Sequence, residues 1–213
     1  MGGCFNRAMS STLVTGFTPF DGRTVNASWI AARSLAGQAR TLEVPVVWGA
    51  PLAQLAPICD QDCPTAVIAL GEGRPGWFDI ETVARNARAD RVDNNNARPD
   101  PARILDSGAD TVTASIDARR LQSALLAAGY PTRISGDAGA FLCEEMLYTL
   151  EYLRQSHEAL ETVTFVHLPP YGTPVSVGGR SRRCDDALLS SFAATVLNAV
   201  TSAAPPVQNV DNA

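Results

Sequence analysis

Short apolar runs of strand length alternate with amphipathic helical patterns along this chain. That alternation predicts an α/β fold: a single-domain, three-layer α/β/α sandwich around a largely parallel, mixed sheet. Two further observations agree. A length of 213 residues suits one domain, and 46% apolar against 18% charged residues suffices for a substantial core. No internal repeat or linker divides the chain. Residues 1–10 are expected to be a flexible N-terminal extension, 11–204 the α/β domain, and 205–213 a flexible C-terminal tail.

Each element has its own signal. "STLVTGF" (Ser11–Phe17) reads as a buried strand running into a glycine turn. "ASWIAARSLAG" reads as a helix capped by Asn26 and ended by Gly37. "TLEVPVVW" (Thr41–Trp48) is a strand in which Pro45 marks an edge or a bulge. "APLAQLAPI" is helix-like, "TAVIALG" (Thr65–Gly71) is an apolar run of strand length, and "DIETVARN" (Asp79–Asn86) alternates weakly as another strand. Residues 87–115 are polar and rich in Asn, Asp, Pro and Arg, and loops of that length usually serve a function or an oligomer contact. "DARRLQSALLAAGY" is an amphipathic helix, followed by a short strand at "TRI". A helix over about 141–155, the strand "TVTFVHL" (Thr162–Leu168) and a final helix over roughly 185–202 complete the pattern. The Pro and Gly content of "PPYGTPVSVGGRSRR" predicts a mobile surface loop before that last helix.

Composition excludes several function classes. The net charge of −5 and the absence of a basic stripe argue against nucleic acid as a partner. All 17 cationic residues are arginine, which removes Schiff-base lysine chemistry and the Walker-type phosphate loop. Five cysteines are spread along the chain with no C-x-x-C, and only two histidines are present, so neither a zinc site nor any other metal or cofactor is expected. Reduced thiols in a cytoplasm are the simplest reading, and no apolar run is long enough to span a membrane. The opening "MGGC" matches an acylation signal poorly, because Asn6 stands where Ser or Thr is wanted.

The chemistry-bearing candidates are few. His157 sits in a polar helix end and reads as a solvated side chain, whereas His167 stands where a strand hands over to "LPPYG", a position suited to proton transfer. In "DAGAFLCEEM", small residues lead into the helix that carries Cys143. A helix start offers unpaired N–H groups and a positive dipole end, which favour a thiolate. Glu144 and Glu145 oppose that effect unless they point away, and a packed core thiol fits the same pattern. A cysteine nucleophile needs a base and an orienting acid, and position alone leaves Glu81, Asp79 and Asp93 all open for the acid.

Four blocks, in order, carry a resemblance that covers most of the chain. "LVTGFTPFDGRTVNASW" resembles the V-T-G-F-x-P-F-G-G-x-x-x-N-P-S-W signature of the pyroglutamyl peptidase I family, the pyrrolidone-carboxylate peptidases. "DIETVARNARADRVDNN" resembles its I-x-x-E-R-V-A-x-N segment, "ISGDAGAFLCEEMLY" its nucleophile segment, and "TFVHLPPYGT" the strand that delivers its histidine. The resemblance implies a cysteine exopeptidase that removes N-terminal pyroglutamate from peptides through Cys143, His167 and Glu81. It further implies Arg91 beside the reacting carbonyl, Phe17 and Phe20 around the flat lactam ring, and a homodimer or homotetramer. One departure stands out. "LGEGRPGW" places Glu72 near the glutamine of the family's G-Q-A-x-G-R block, and an ionised carboxylate accepts hydrogen bonds but donates none. A related cysteine amide hydrolase with altered acyl specificity, or a non-catalytic binder of pyroglutamyl peptides, is therefore the alternative. The G-x-C-x-G elbow of class I glutamine amidotransferases is absent from "FLCEE".

Overall fold

A computed structural model describes residues 12–202, so the expectations for both terminal segments and for "MGGC" lie outside the described residues. In chain order the first half comprises β1 (Thr12–Phe17), α1 (Ala27–Arg33), β2 (Arg40–Val44), α2 (Ala50–Asp62), β3 (Ala66–Glu72), β4 (Phe78–Glu81) and β5 (Val83–Arg85). The second half comprises β6 (Thr111–Thr113), α3 (Ala118–Ala127), β7 (Thr132–Ser135), α4 (Leu142–Ser156), β8 (Thr162–Leu168), β9 (Pro174–Val177), β10 (Arg180–Arg183) and α5 (Asp186–Thr201).

Six strands form one mixed sheet in the order β2-β1-β3-β8-β4-β7. Every neighbouring pair is parallel except β4 with β8, as the alternating pattern predicts. Pro45 ends β2 at the sheet edge, where a missing N–H costs no ladder bond. Helices α1, α3 and α5 cover one face and α2 and α4 the other, which gives three layers with a core on each side of the sheet. The caps are local. The side chains of Asn26, Asp117 and Asp185 accept the N–H groups of Ser28, Arg120 and Leu188 at 3.0, 3.0 and 2.9 Å, and so begin α1, α3 and α5.

Period-two alternation positions the site. In β8, Val166 and Leu168 enter the core under α1 and α5, while Val163 and Phe165 face α4. His167 shares the parity of Phe165. The same parity turns Phe17 of β1, Ala69 and Gly71 of β3, and Asp79 and Glu81 of β4 toward α4, because Val14, Ile68 and Ile80 fill the opposite core. Four adjacent strands thus present chemistry on one face, at the start of α4.

Three expectations are corrected. "DIETVARN" is two strands broken at Thr82: β4 belongs to the main sheet, and β5 pairs antiparallel with β6. The expected mobile loop at 169–183 is instead the β9–β10 hairpin, whose turn residues Gly178 and Gly179 both have positive φ (57° and 75°), the geometry glycine adopts without steric penalty. The cysteines are not all reduced: Cys59, Cys143 and Cys184 are free, whereas Cys63 is disulfide-bonded.

Candidate active site

Residues 136–142 bring the chain from the sheet to α4 through a tight turn. Gly139 and Ala140 both lie at positive φ (86° and 44°), a strained conformation for the alanine. Two bonds hold the turn: Ala89 N–H donates to the Ala140 carbonyl at 2.7 Å, and Ala140 N–H donates to Glu144 Oε2 at 3.1 Å. The second resembles one arm of a capping box, with the third helical residue reaching back. The first intrahelical bond is Glu145 N–H to the Phe141 carbonyl, so the N–H groups of Leu142, Cys143 and Glu144 precede the ladder. Cys143 therefore sits at the positive end of α4 with backbone donors beside its sulfur.

His167 is buried against this thiol. Its Nδ1–H donates to Glu81 Oε1 at 2.8 Å, and the imidazole is also hydrogen-bonded to Cys143. Burial disfavours the charged ring, but the sulfur on one side and the carboxylate on the other outweigh it and carry the His167 pKa up to about 10. Two glycines make room for the cluster. A Cβ on Gly71 would stand 2.9 Å from Cys143 Sγ and 3.1 Å from His167 Cδ2, and one on Gly73 would stand 2.7 Å from His167 Cβ. No side chain larger than hydrogen fits either place.

Of the three acids left open by the sequence, only Glu81 reaches the imidazole. Asp79 lies opposite His167 in the strand register but is held by a bidentate pair from Arg133 at 2.8 and 2.9 Å. Asp93 accepts the N–H groups of Trp48, Asn95 and Ala97 and closes its own loop. Burial raises its pKa less than those N–H groups lower it, so its carboxyl sits below the usual range.

The Glu144–Glu145 pair turns away from the thiol. Both are fully buried, and neither lines the cavity in front of Cys143. Glu145 accepts Arg88 Nε and Nη2 at 3.0 and 2.6 Å and Gly49 N–H at 2.9 Å. Glu144 accepts the Arg85 N–H and faces its guanidinium. Burial still pushes the Glu144 carboxyl up, which weakens any negative field it casts on the helix start.

A cavity of about 450 Å³ opens above the cluster. Cys143, His167, Glu81, Arg91, Phe17, Phe20 and Glu72 all line it. Phe17 is buried and Phe20 half-buried, so both can hold a flat ring. Arg91 stacks its guanidinium 4.2 Å over Phe141 and donates to Asp21 at 2.6 Å. Glu72 is already engaged: one oxygen pairs with Arg23, and the other accepts Ala27 N–H at 3.0 Å and Tyr171 N–H at 3.4 Å. Asp79, left open as the acid, also lines the cavity, and so do Arg74, Arg133 and Ser135, which the sequence reading did not place there. Arg74 lies in the short β3–β4 connection and the other two in the short strand β7, so no local pattern marked them. His157 is not free in solvent but bonded to Asp60 Oδ1 and the Leu153 carbonyl, which raise its pKa. Among the described residues, no group of three or more His, Cys, Asp or Glu side chains is arranged to hold a metal.

The chain is also similar to known proteins. The pyroglutamyl peptidase family model matches residues 10–204. The pyrrolidone-carboxylate peptidase of Cupriavidus taiwanensis is 34% identical over 173 residues, covering 76% of this chain and 79% of the relative. That of Klebsiella pneumoniae is 34% identical over 169 residues, with 76% and 78% covered. Pyroglutamyl peptidase I of Bacillus amyloliquefaciens superposes with a TM-score of 0.75 at 26% identity, covering 89% of this chain and 96% of the other. A mutant pyrrolidone carboxyl peptidase of Pyrococcus furiosus shares the fold at 21% identity, with a TM-score of 0.78 and 90% and 98% covered.

Proposed function

Because this chain belongs to the pyroglutamyl peptidase family of enzymes, we propose that it is a cysteine exopeptidase releasing pyroglutamate from peptide N-termini. One observation carries the reading: a thiol at the unfilled N–H groups of α4 is hydrogen-bonded to a buried imidazole, which Glu81 holds from behind at 2.8 Å. Cys143 attacks the amide carbonyl as thiolate, and the N–H groups at the helix start receive the developing oxyanion. Arg91 adds positive charge on that side. His167 gives its proton to the departing amine, which leaves a thioester on Cys143. It then takes a proton from water as the water attacks the thioester and frees the acid. Glu81 holds the imidazole in orientation and stabilises its charged form throughout. Phe17 and Phe20 enclose the lactam ring.

Purified protein under reducing conditions is expected to cleave a pyroglutamyl chromogenic amide, and Cys143→Ala to lower that rate by at least about a thousandfold. Absence of turnover by the unmutated protein would overturn the assignment. Binding without turnover or alkylation at Cys143 would instead identify a non-catalytic binder.

A second reading has its own observation. Glu72 faces Arg23 with one carboxylate oxygen and two backbone N–H groups with the other, and an ionised carboxylate gives a lactam oxygen no donor. A cyclic or linear acyl group other than pyroglutamyl is then the preferred substrate, and a panel of such amides separates the two. We also propose a cytoplasmic homodimer or homotetramer, to be read by light scattering and cell fractionation. Among the described residues, no helix is long and apolar enough to cross a membrane.

A further inference from the structure

The charged groups around the cavity can be accounted for one by one. Glu72 is paired with Arg23 and Glu81 with His167. Asp79 is paired with Arg133, Asp137 with Arg85 at 3.1 Å, and Arg91 with Asp21. Arg74 is the exception. Among the described residues it has no ion pair and no hydrogen bond, yet it lines the same cavity and is exposed. Its charge acts on Asp137, which the Arg85 guanidinium already holds by a hydrogen bond. Compensation elsewhere is complete, so the cavity is left with one unmatched cation.

The position of that cation follows from the close packing of its neighbour. Gly73 lies so near His167 that an added Cβ would stand 2.7 Å from His167 Cβ. Arg74 is the next residue, about 3.8 Å further along the chain. His167 is the group that meets the departing amine, so the side of the cavity beside it receives the leaving segment. Phe17 and Phe20 belong to the acyl side. The Arg133 guanidinium cannot compete for the same ligand, because it is forked onto Asp79 and lies 4.6 Å from the Trp77 ring centroid.

We propose that Arg74 determines specificity for the leaving segment by receiving a carboxylate on the residue that follows the pyroglutamyl group. This rests on the peptidase reading given above. A carboxylate in that position has two sources, an Asp or Glu side chain or the free C-terminus of a dipeptide. A lysine side chain there meets a like charge. The pair is exposed, so solvent screens it and the expected gain is modest, about threefold to fivefold in kcat/KM at low salt. It contracts as added salt shortens the screening length.

Four substrates test this: pyroglutamyl-alanine amide, pyroglutamyl-glutamate amide, pyroglutamyl-alanine with a free carboxylate, and pyroglutamyl-lysine amide. The unmutated enzyme should favour the two carboxylate-bearing substrates over the neutral one and disfavour lysine. The second and third substrates show whether a side chain or a terminus is preferred. Arg74→Gln should bring the ratios to about one, and Arg74→Glu should invert them toward lysine. Arg180→Gln, on the exposed hairpin strand β10, should leave the ratios as they are. Equal rates in the unmutated enzyme, or a preference that survives Arg74→Gln or disappears in Arg180→Gln, would overturn the proposal. Turnover of the neutral amide in those cases leaves the peptidase reading standing, whereas failure to cleave any of the four removes both.

Discussion

Two clusters of buried polar side chains meet at the first turn of α4, and they are finished differently. In the loop that follows β5, hydrogen-bonding capacity is nearly saturated. Asn86 accepts from Ile104 and Leu105 N–H and donates to the Leu105 and Gly108 carbonyls. Glu145 takes three donors and Asp93 takes three more. In the Cys143–His167–Glu81 cluster capacity is left open: Glu81 Oε2 is buried without a hydrogen-bond partner, and Cys143, outside any disulfide, lines the cavity. The saturated cluster orders an irregular segment that has little regular ladder of its own. The open one keeps groups available to a substrate, as a site needs. Both contain buried carboxylates, and what separates Glu81 from Glu145 and Asp93 is the completeness of their partners.

That contrast can be broken from either side. The largest effect is expected in the open cluster. Glu81→Gln keeps the shape and removes the charge, and should lower kcat/KM by about 10² to 10⁴ with little change in unfolding temperature. Losing the anion should also bring the His167 pKa down from about 10, visible in an NMR titration of the imidazole. A large loss of stability instead would show that Glu81 belongs with the scaffold.

The saturated cluster should respond in the opposite sense. Arg88→Ala leaves Glu145 charged and fully buried, at a cost of about 3–5 kcal/mol in chemical denaturation. Replacing both partners by apolar residues should recover most of that. Asp93→Ala gives the smallest effect, about 2–3 kcal/mol at neutral pH, through three orphaned N–H groups. Its pH dependence has a defined sign. The folded carboxyl is more acidic than the unfolded one, so its contribution is present above the unfolded pKa of about 4 and is lost as pH falls through the lower folded value. The gap between the unmutated protein and Asp93→Ala should therefore close on acidification. A gap that is constant with pH would mean that the carboxylate charge plays no part.

Much of the fold was legible in the chain, because its signals are short-range. Short runs of strand length marked the sheet strands, and Asn26 capped α1 where its pattern begins. Composition misled only where regular backbone hides behind loop-forming residues. In "PPYGTPVSVGGRSRR" the Gly178–Gly179 pair makes a hairpin turn rather than a mobile loop. The break at Thr82 was also invisible, since both halves of "DIETVARN" alternate but pair in different sheets.

By itself the sequence determined the order of the elements, the helix that carries Cys143 and the strand that ends near His167. Those depend on periodicity and caps, which span a few residues. No local pattern said which acid meets the imidazole: the resemblance implied Glu81, and the folded sheet brings it there. Glu81 and His167 are 86 residues apart and touch because β4 runs antiparallel to β8 in one particular register. The same holds for the charges. Glu144 and Glu145 looked like a threat to the thiolate, yet Arg85 and Arg88 from another segment compensate them. No local pattern marked Arg74, yet among the described residues it alone of the cavity's charged side chains has no ion pair. Partners across a sheet are set by strand order and register, and neither is written in any local pattern of residues.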